Sequence, residues 1–184
     1  IMIGLPGQTY ASVAADIELF RDLDLDMIGI GPFLPHPATP LGTPAASRPT
    51  ASADQVPNTE LMVYKAMALT RLVRPDANIP ATTALATINK TDGREQGLRR
   101  GANVVMPNLT PRRYRRLYEI YPAKACIAED GDACHRGLVR RIRALGRRPG
   151  HGPGGRQRPS RFPEQQDPKN LLLSSPREGD QGGR

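Results

Sequence analysis

The sequence contains two cysteines, Cys126 and Cys134, whose thiolates are natural ligands for an iron–sulfur cluster or another soft metal. Both lie in the run CIAEDGDACHRG, where His135 directly follows the second cysteine. Two thiolates are too few to hold an iron–sulfur cluster by themselves, and two cysteines do not make a disulfide framework. A single histidine beside a cysteine is more typical of an ordinary surface position than of a metal ligand. These residues alone therefore predict no metal site.

A second chemically unusual segment is GPFLPHPATPLG, residues 31–42, which has four prolines and follows the apolar run MIGI. Proline has no N–H and fixes φ near −65°, so it is excluded from the interior of helices and sheets. The residue before each proline is also pushed towards extended geometry. The pattern predicts a stiff, extended arm beyond the end of a strand, suited to line the rim of a pocket. An ordinary proline-rich surface loop is the alternative.

Strands and helices alternate along the first two thirds of the chain. Continuously apolar runs, typical of parallel strands covered on both faces, predict strands at 1–6, 27–31, 81–88 and 102–108. Caps and helical spacing predict helices after Thr9, at 59–74, at 92–101 and at 110–122. Val13, Ile17 and Phe20 fall at helical spacing in the first helix. In the second helix, the residues that share one side are Leu61, Met62, Lys65, Leu69 and Leu72.

Four strand–helix units predict a parallel α/β architecture. Half of a (β/α)₈ barrel and a flavodoxin-like open sheet both fit this pattern, and periodicity does not separate them. In either fold the functional site lies at the carboxyl ends of the strands, which is where the proline arm falls.

Charge and composition divide the 184 residues into two halves. Residues 1–93 carry 6 Lys/Arg against 9 Asp/Glu, whereas residues 94–184 carry 20 against 9. The basic half is compatible with nucleic acid, an acidic protein or an anionic substrate. Aromatic residues are only 4% of the chain, which disfavours nucleic acid because few rings are present to stack on bases.

Segment composition sets the expected boundaries. Residues 43–58 are rich in Pro, Ala and Ser and predict a loop or disordered insertion, and residues 146–184 predict a low-complexity, basic, disordered tail. No apolar run is long enough to span a membrane, and no signal-like segment is visible, so we expect a cytoplasmic protein. The chain opens with IMIGLPGQT, as if within a strand, which suggests a piece of a longer protein.

Several motifs, in order, resemble a known family. They are MIGLPGQT, DMIGIGPFLPHPATPL, NIPATTALATI, GREQGLRRGANVVMPNLTP and YRRLYEIYPAKACI, which together cover most of residues 1–126. The sequence is similar to the radical S-adenosylmethionine (SAM) maturases of [FeFe] hydrogenase, the HydE type. More distantly, it resembles biotin synthase and methylornithine synthase.

The resemblance implies a (β/α)₈ TIM-type radical SAM barrel, of which this chain holds the second half, strands five to eight. It implies a domain over 1–145, including the region associated with biotin and thiamin synthesis at about 59–145. The family cleaves SAM reductively with a [4Fe–4S] cluster and acts on a small iron–carbonyl–cyanide precursor, with other hydrogenase maturation proteins as possible partners. The cluster motif CxxxCxxC is absent from this chain, so the chain alone is expected to be inactive.

The resemblance also carries candidate site residues. Met27, Leu34 and Pro35 match positions around SAM, with a gap-filling core methionine as the alternative for Met27. Further positions match the lining of the substrate cavity, with sheet propensity or packing as the alternatives: Thr82, Thr83, Ala84, Leu85, Met106, Tyr118 and Tyr121.

In some relatives a third cysteine follows the second as CxxC and completes an accessory cluster. Gly137 stands at that position here, so Cys126 and Cys134 are at most a remnant of such a site.

A function of a different class remains open, namely a basic module that docks on an acidic protein or nucleic acid. Its candidate surface is a basic patch around Tyr114, formed by Arg112, Arg113, Arg115 and Arg116. A solvated helix face is the simpler interpretation of these arginines. Another biotin-synthase-like radical SAM activity is the remaining alternative.

Overall fold

The structure is a computed structural model that describes residues 1–43, 53–118, 120, 122–125, 128 and 130–156. Its regular elements are β1 (Met2–Ile3), α1 (Tyr10–Asp22), β2 (Gly31–Pro32), α2 (Glu60–Val73), α3 (Thr83–Ile88), α4 (Gly93–Arg99), α5 (Arg112–Arg115) and α6 (Gly131–Ala144). Short 3₁₀ turns cover Pro40–Gly42 and Arg116–Tyr118. Within this part of the chain, no helix is both long and apolar enough to cross a membrane.

The pairing of extended segments is parallel throughout the sheet. β1 pairs with β2, with Met2 opposite Gly31. The segment 78–81 pairs with the residues leading into β2, through the bridges Met27–Asn78 and Ile30–Ala81, and Val104 pairs with Pro80 on the far side. Four extended segments, at β1, at 27–32, at 78–81 and around Val104, therefore lie side by side in chain order. The fourth is a short pairing around Val104 rather than a strand over 102–108.

Pro32 lies inside β2, although a proline cannot donate to a sheet. Its two neighbours make the bonds to β1: Gly31 N–H donates to the carbonyl of Ile1 (3.2 Å) and Phe33 N–H to that of Ile3 (2.8 Å). The backbone nitrogen of Pro32 faces away from β1, towards the segment 78–81. That segment has already left the sheet at this level, because α3 follows it. The proline is tolerated because, among the described residues, no neighbouring strand needs a hydrogen-bond donor at this position.

The first two helices begin where the sequence predicts, and a threonine caps each of them. Thr9 caps α1 and forms a capping box with Ser12, and Thr59 caps α2 by accepting a hydrogen bond from the N–H of Met62. Val13, Ile17 and Phe20, the apolar residues at helical spacing in the sequence, are all buried. These three side chains attach α1 to the hydrophobic core that the strands and α2 share.

The side of α2 that the sequence analysis singled out is mostly not the buried one. Leu61, Leu69 and Leu72 are exposed, Leu72 by 78%, and they share the solvent side with Lys65. The core is instead formed by the opposite side of the helix, which carries Met62, Val63, Tyr64, Ala66, Met67 and Thr70. Both sides of this helix are apolar at helical spacing, so periodicity could not decide between them.

The strand predicted over 81–88 is also wrong. The chain is extended only as far as Ala81, and Thr82 then caps α3 by accepting a hydrogen bond from the N–H of Leu85. Leu85 and Ala86 are the buried residues of this short helix. The β-branched residues had suggested a strand, but the cap and the burial of one helical face override that propensity.

Helix α4 matches the prediction and ends before Gly101, whose φ of +117° suits glycine. The helix predicted over 110–122 is much shorter, since α5 gives way to a 3₁₀ turn at Arg116 and residues 119 and 121 lie outside the described residues. Helix α6 was not predicted at all, although Asp130 caps it by accepting from the N–H of Ala133 (2.6 Å).

Residues 147–156, which we call the strap, cross the amino ends of the parallel segments. The Arg156 guanidinium donates to Asp24 Oδ1 (3.0 Å) and lies 3.2 Å from Asp76 Oδ2, and the Asn78 amide donates to the carbonyl of Gly154 (3.0 Å). Arg74 reaches the same Asp24 carboxylate at 2.6 Å. The basic tail expected from 146 therefore has defined contacts up to Arg156. Residues 157–184 lie outside the described residues, as do residues 44–52 of the expected insertion.

Candidate functional site

The proline arm and the start of α3 meet at the carboxyl ends of the parallel segments. A Cβ atom at Gly31 would lie 3.1 Å from Thr82 Oγ1 and 3.6 Å from the Ala84 Cβ. This close approach is possible because Gly31 has no side chain. The base of the arm, Thr82 and Ala84 therefore form one continuous rim, in which Gly31 was not anticipated from the sequence.

The arm is a folded turn rather than the straight extended segment predicted. Thr39 donates to the carbonyl of His36 through both its N–H (2.9 Å) and its hydroxyl (2.8 Å), and the His36 ring accepts from the N–H of Ala38. Leu34 and Pro35 lie just before this turn, where the Asn58 amide donates to the carbonyl of Phe33. These local hydrogen bonds hold the arm in one shape. The sequence predicts that rigidity from the prolines alone.

The four consecutive positions from Thr82 to Leu85 have different surroundings. The Thr82 hydroxyl accepts from Leu85 N–H, and the Thr83 hydroxyl accepts from the Arg94 guanidinium at 3.5 Å. Ala84 is half-buried next to Gly31. Leu85 is fully buried and belongs to the hydrophobic core. Three of the four positions are thus placed at the rim, and Leu85 packs beneath them.

Met106 lies at the same edge as this rim. Val104 pairs with Pro80 in parallel. Met106 lies two residues after Val104, and Thr82 lies two residues after Pro80, so both are at the same level of the sheet. Met106 is half-exposed. Tyr118, farther along the chain, is exposed, with the Lys124 ammonium 5.1 Å above its ring. Tyr121 lies outside the described residues.

Met27 lies at the opposite end of its strand from the arm. It pairs with Asn78 at the amino ends of the segments, so seven residues, roughly 20 Å of extended chain, separate it from Leu34. There it lines an open cleft of 1370 Å³ between the sheet, α6 and the strap. The structure does not bring Met27 together with Leu34 and Pro35.

Cys134 and His135 point to different sides of α6. Cys134 is 2% exposed and lines a second cleft, of 860 Å³, between α6 and the α3–α4 pair, whereas His135 lines the cleft near Met27. Cys126 lies outside the described residues. In the part of the chain that the structure does describe, no group of three His, Cys, Asp or Glu side chains is positioned to hold a metal ion.

The arginines around Tyr114 do not form a uniform solvated face. Arg115 is 3% exposed, and its guanidinium donates to the carbonyls of Thr110 and Asn108, both at 2.6 Å. Arg113 instead stacks over the Tyr114 ring at 4.7 Å. Arg115 therefore stabilises the backbone of the preceding loop, a role that sequence reasoning missed.

Ionisation is most strongly perturbed where the strap meets the sheet. Hydrogen bonds from Arg156 and then Arg74 hold the pKa of the Asp24 carboxyl well below its usual range. In return, the hydrogen bond to Asp24 raises the pKa of Arg156. Near the rim, burial together with the hydrogen bond to Glu60 raises the pKa of Tyr64. These shifts are those of structural ion pairs and packing contacts.

Comparison with known proteins gives one informative match. No protein-family model matches the sequence. The [FeFe] hydrogenase maturase subunit HydE of Thermotoga maritima is 47% identical to it over 157 residues. The match covers 85% of this chain and 42% of the relative, so the chain spans less than half of that protein's length. The family resemblance predicted from the motifs is confirmed: this chain is a relative of the HydE-type [FeFe] hydrogenase maturases.

Proposed function

We propose that this chain forms the second half, strands five to eight, of the (β/α)₈ barrel of a radical SAM enzyme that matures the diiron site of [FeFe] hydrogenase. The 47% identity to the HydE maturase over 85% of the chain carries this proposal. The parallel order of the four segments, each followed by a helix, supports it. Among the described residues, β1 and the Val104 segment each have a partner on one side only, leaving two edges that further strands would pair with.

The rim at the carboxyl ends of the segments is the proposed SAM and substrate region. The turn of the arm fixes the backbone at Leu34 and Pro35, so it can meet an adenine ring without first having to be ordered. Because Gly31 has no side chain, the space directly in front of the Thr82 hydroxyl is not filled by the arm. The Thr83 hydroxyl and Ala84 extend the rim towards the interior, where a small iron–carbonyl–cyanide precursor would lie. Substrate orientation and exclusion of water are the tasks of these residues.

The described residues do not fit a [4Fe–4S] cluster, because no three potential ligands lie together. In this proposal, the cluster ligands lie in the other half of the barrel. SAM and that cluster supply the radical chemistry when bound, and the chain contributes the rim that holds SAM and substrate. By itself the chain is then inactive. Partner maturation proteins and the hydrogenase would meet the complete enzyme.

The test is to complete the barrel. The chain would be joined to the part of the Thermotoga maritima relative that it does not cover, and the chimera reconstituted with iron and sulfide. We expect the chimera to cleave SAM to 5′-deoxyadenosine and to support hydrogenase activation, and the isolated chain to do neither. A chimera with its cluster cysteines changed to serine is the negative control. A folded, cluster-loaded chimera without SAM cleavage would refute the proposal.

A further inference from the structure

The cleft between α6 and the α3–α4 pair, which we call the basic cleft, has a strongly one-sided lining. It measures 860 Å³, within the range of small-molecule sites. No aspartate or glutamate is among its described lining residues. Five cationic side chains are: Lys90, Arg94, Lys124, Arg140 and Arg141.

Two of these cations are available to a ligand. Lys90 and Arg140 are exposed and form no hydrogen bond or ion pair with any residue that the structure describes. Among the described residues, Arg141 has one carboxylate partner, Glu95 Oε1 at 2.9 Å, and Glu95 is not one of the lining residues. Within the part of the chain that the structure describes, Lys90 and Arg140 therefore have no carboxylate that compensates their charge.

One cation of the basic cleft is buried. Arg94 is 7% exposed and donates to the Thr83 hydroxyl. Removing a guanidinium from water is unfavourable unless it interacts with polar or anionic groups. Its contact with Thr83 places one positive charge of the cleft beside the rim residues.

The space inside the cleft is left by small side chains. Its walls include Ala86, Gly93, Ala133, Gly137 and Ala144. A Cβ atom at Gly137 would meet nothing within 4 Å, so this part of α6 faces open space. A helix interior normally disfavours glycine, and here its absent side chain leaves room between the cations.

We propose that the basic cleft binds a small polyanion, an oxyanion carrying at least two negative charges. Arginine offers a planar pair of donors that matches phosphate or carboxylate oxygens, and lysine adds a compact charge, so a diphosphate or a tricarboxylate would engage several of these side chains together. The proposal is independent of the radical SAM function, because it rests on residues outside the rim apart from the Arg94–Thr83 contact.

Calorimetric titration of the full chain with pyrophosphate and, separately, with citrate tests this proposal. Acetate serves as a monovalent control, and sodium chloride holds ionic strength constant because salt screens exposed charges. The probing variant is the double substitution Lys90→Ala and Arg140→Ala. The matched control is Arg136→Ala with Arg143→Ala, which removes the same charge from exposed α6 positions outside both clefts. Circular dichroism verifies that all variants fold alike.

We expect saturable binding of one polyanion per chain and at least a tenfold loss of affinity in the probing variant, with less than a twofold change in the control. The tighter of the two probes identifies the ligand as a phosphate or a carboxylate compound. Absence of saturable binding by both probes would overturn the proposal, and so would an equal loss in the two double variants, since that would reflect general positive charge only.

Discussion

Gly93 and Gly137 show how differently two helical glycines constrain this molecule. At Gly93, the first residue of α4, a Cβ atom would lie 2.5 Å from the carbonyl oxygen of Leu85, so the glycine allows α3 and α4 to pack closely. At Gly137, inside α6, a Cβ atom would meet nothing within 4 Å. The first position therefore needs glycine for packing, and the second does not.

We expect Gly137→Ala to raise the free energy of unfolding by about 0.5–1 kcal/mol, because alanine restricts the unfolded chain and favours the helix. The matched change Gly93→Ala should lower it by about 1–3 kcal/mol, since backbone must move to admit the methyl group. Urea unfolding followed by circular dichroism measures both. Destabilisation by Gly137→Ala would show that this face of α6 is not open.

Thr82 has a structural task that must be separated from its proposed role at the rim. Its hydroxyl caps α3 through Leu85 N–H. We expect Thr82→Ala to lower the free energy of unfolding by about 1 kcal/mol and Thr82→Ser to leave it unchanged, because serine keeps the capping oxygen. The same unfolding measurement applies. If serine were as destabilising as alanine, the Thr82 methyl group and not the cap would be the stabilising feature.

At the scale of elements, helix caps were the part of the structure most readable from the sequence. Thr9 correctly located the start of α1, and the helix expected over 59–74 does begin after Thr59, which caps it. At Thr82 the same cap signal was present, but the β-branched run TTALATI favoured a strand by propensity, which the helical packing of Leu85 overrides. Propensity is decisive only where burial and caps do not contradict it.

The sequence did contain a pattern typical of a helix at α6, but the many arginines of this segment made it hard to recognise. Asp130 precedes it as a cap, and Cys134, Leu138 and Ile142 repeat at four-residue spacing along the side that packs inwards. These inward-facing apolar positions are outnumbered by polar and charged residues, so the apolar stripe of the helix is narrow. The contacts of Arg94 and Arg156 were beyond the sequence for a different reason: each joins residues distant along the chain, and no local pattern specifies such a pairing.

The cap of α6 offers a direct test of how this helix is held. Asp130→Ala should lower the free energy of unfolding by about 1 kcal/mol, because the N–H of Ala133 loses its acceptor. Asp130→Asn keeps an acceptor and should come close to the parent chain. Thermal unfolding followed by circular dichroism compares the three proteins. Equal stability of all three would mean that the amino end of α6 does not depend on this bond.

For the whole molecule, the strap connects the carboxyl-terminal end of the described residues to two loops earlier in the chain. Arg156 meets Asp24 in the loop after α1 and Asp76 in the loop after α2. Its guanidinium also donates to the carbonyl of Leu25, and its side chain is only 5% exposed. This one residue thus holds the carboxyl-terminal segment against two separate loops at the amino ends of the sheet segments.

We expect Arg156→Ala to release the strap and to speed tryptic cleavage after Arg147 several-fold, because cleavage needs local opening of the backbone. Mass spectrometry of timed digests measures the rate at this site. Arg136→Ala, on the exposed side of α6, is the control and should leave the rate unchanged. An unchanged rate in Arg156→Ala would show that the strap is held by its other contacts, such as that between Asn78 and Gly154.

The strap also makes stability depend on pH in a definite direction. Arg156 and Arg74 lower the pKa of Asp24 in the folded chain, so its carboxylate stabilises the fold fully above the unfolded-state pKa of about 4. That stabilisation is lost as the pH falls from about 4 towards the lower folded-state pKa, because the unfolded chain binds the proton first. The stability difference between the parent and Asp24→Asn isolates this contribution.

We expect the parent to melt at a higher temperature than Asp24→Asn near pH 6, and the difference to shrink steadily as the pH is lowered below about 4. Asparagine suits the backbone here, since Asp24 has a φ of 49°. Asp22→Asn is the control: within the described part of the chain, the exposed Asp22 carboxylate pairs only with its exposed neighbour Arg21 at 3.2 Å, and such pairs contribute little. A difference that stayed constant down to pH 3, or that Asp22→Asn reproduced, would mean that the carboxylate of Asp24 does not hold the strap.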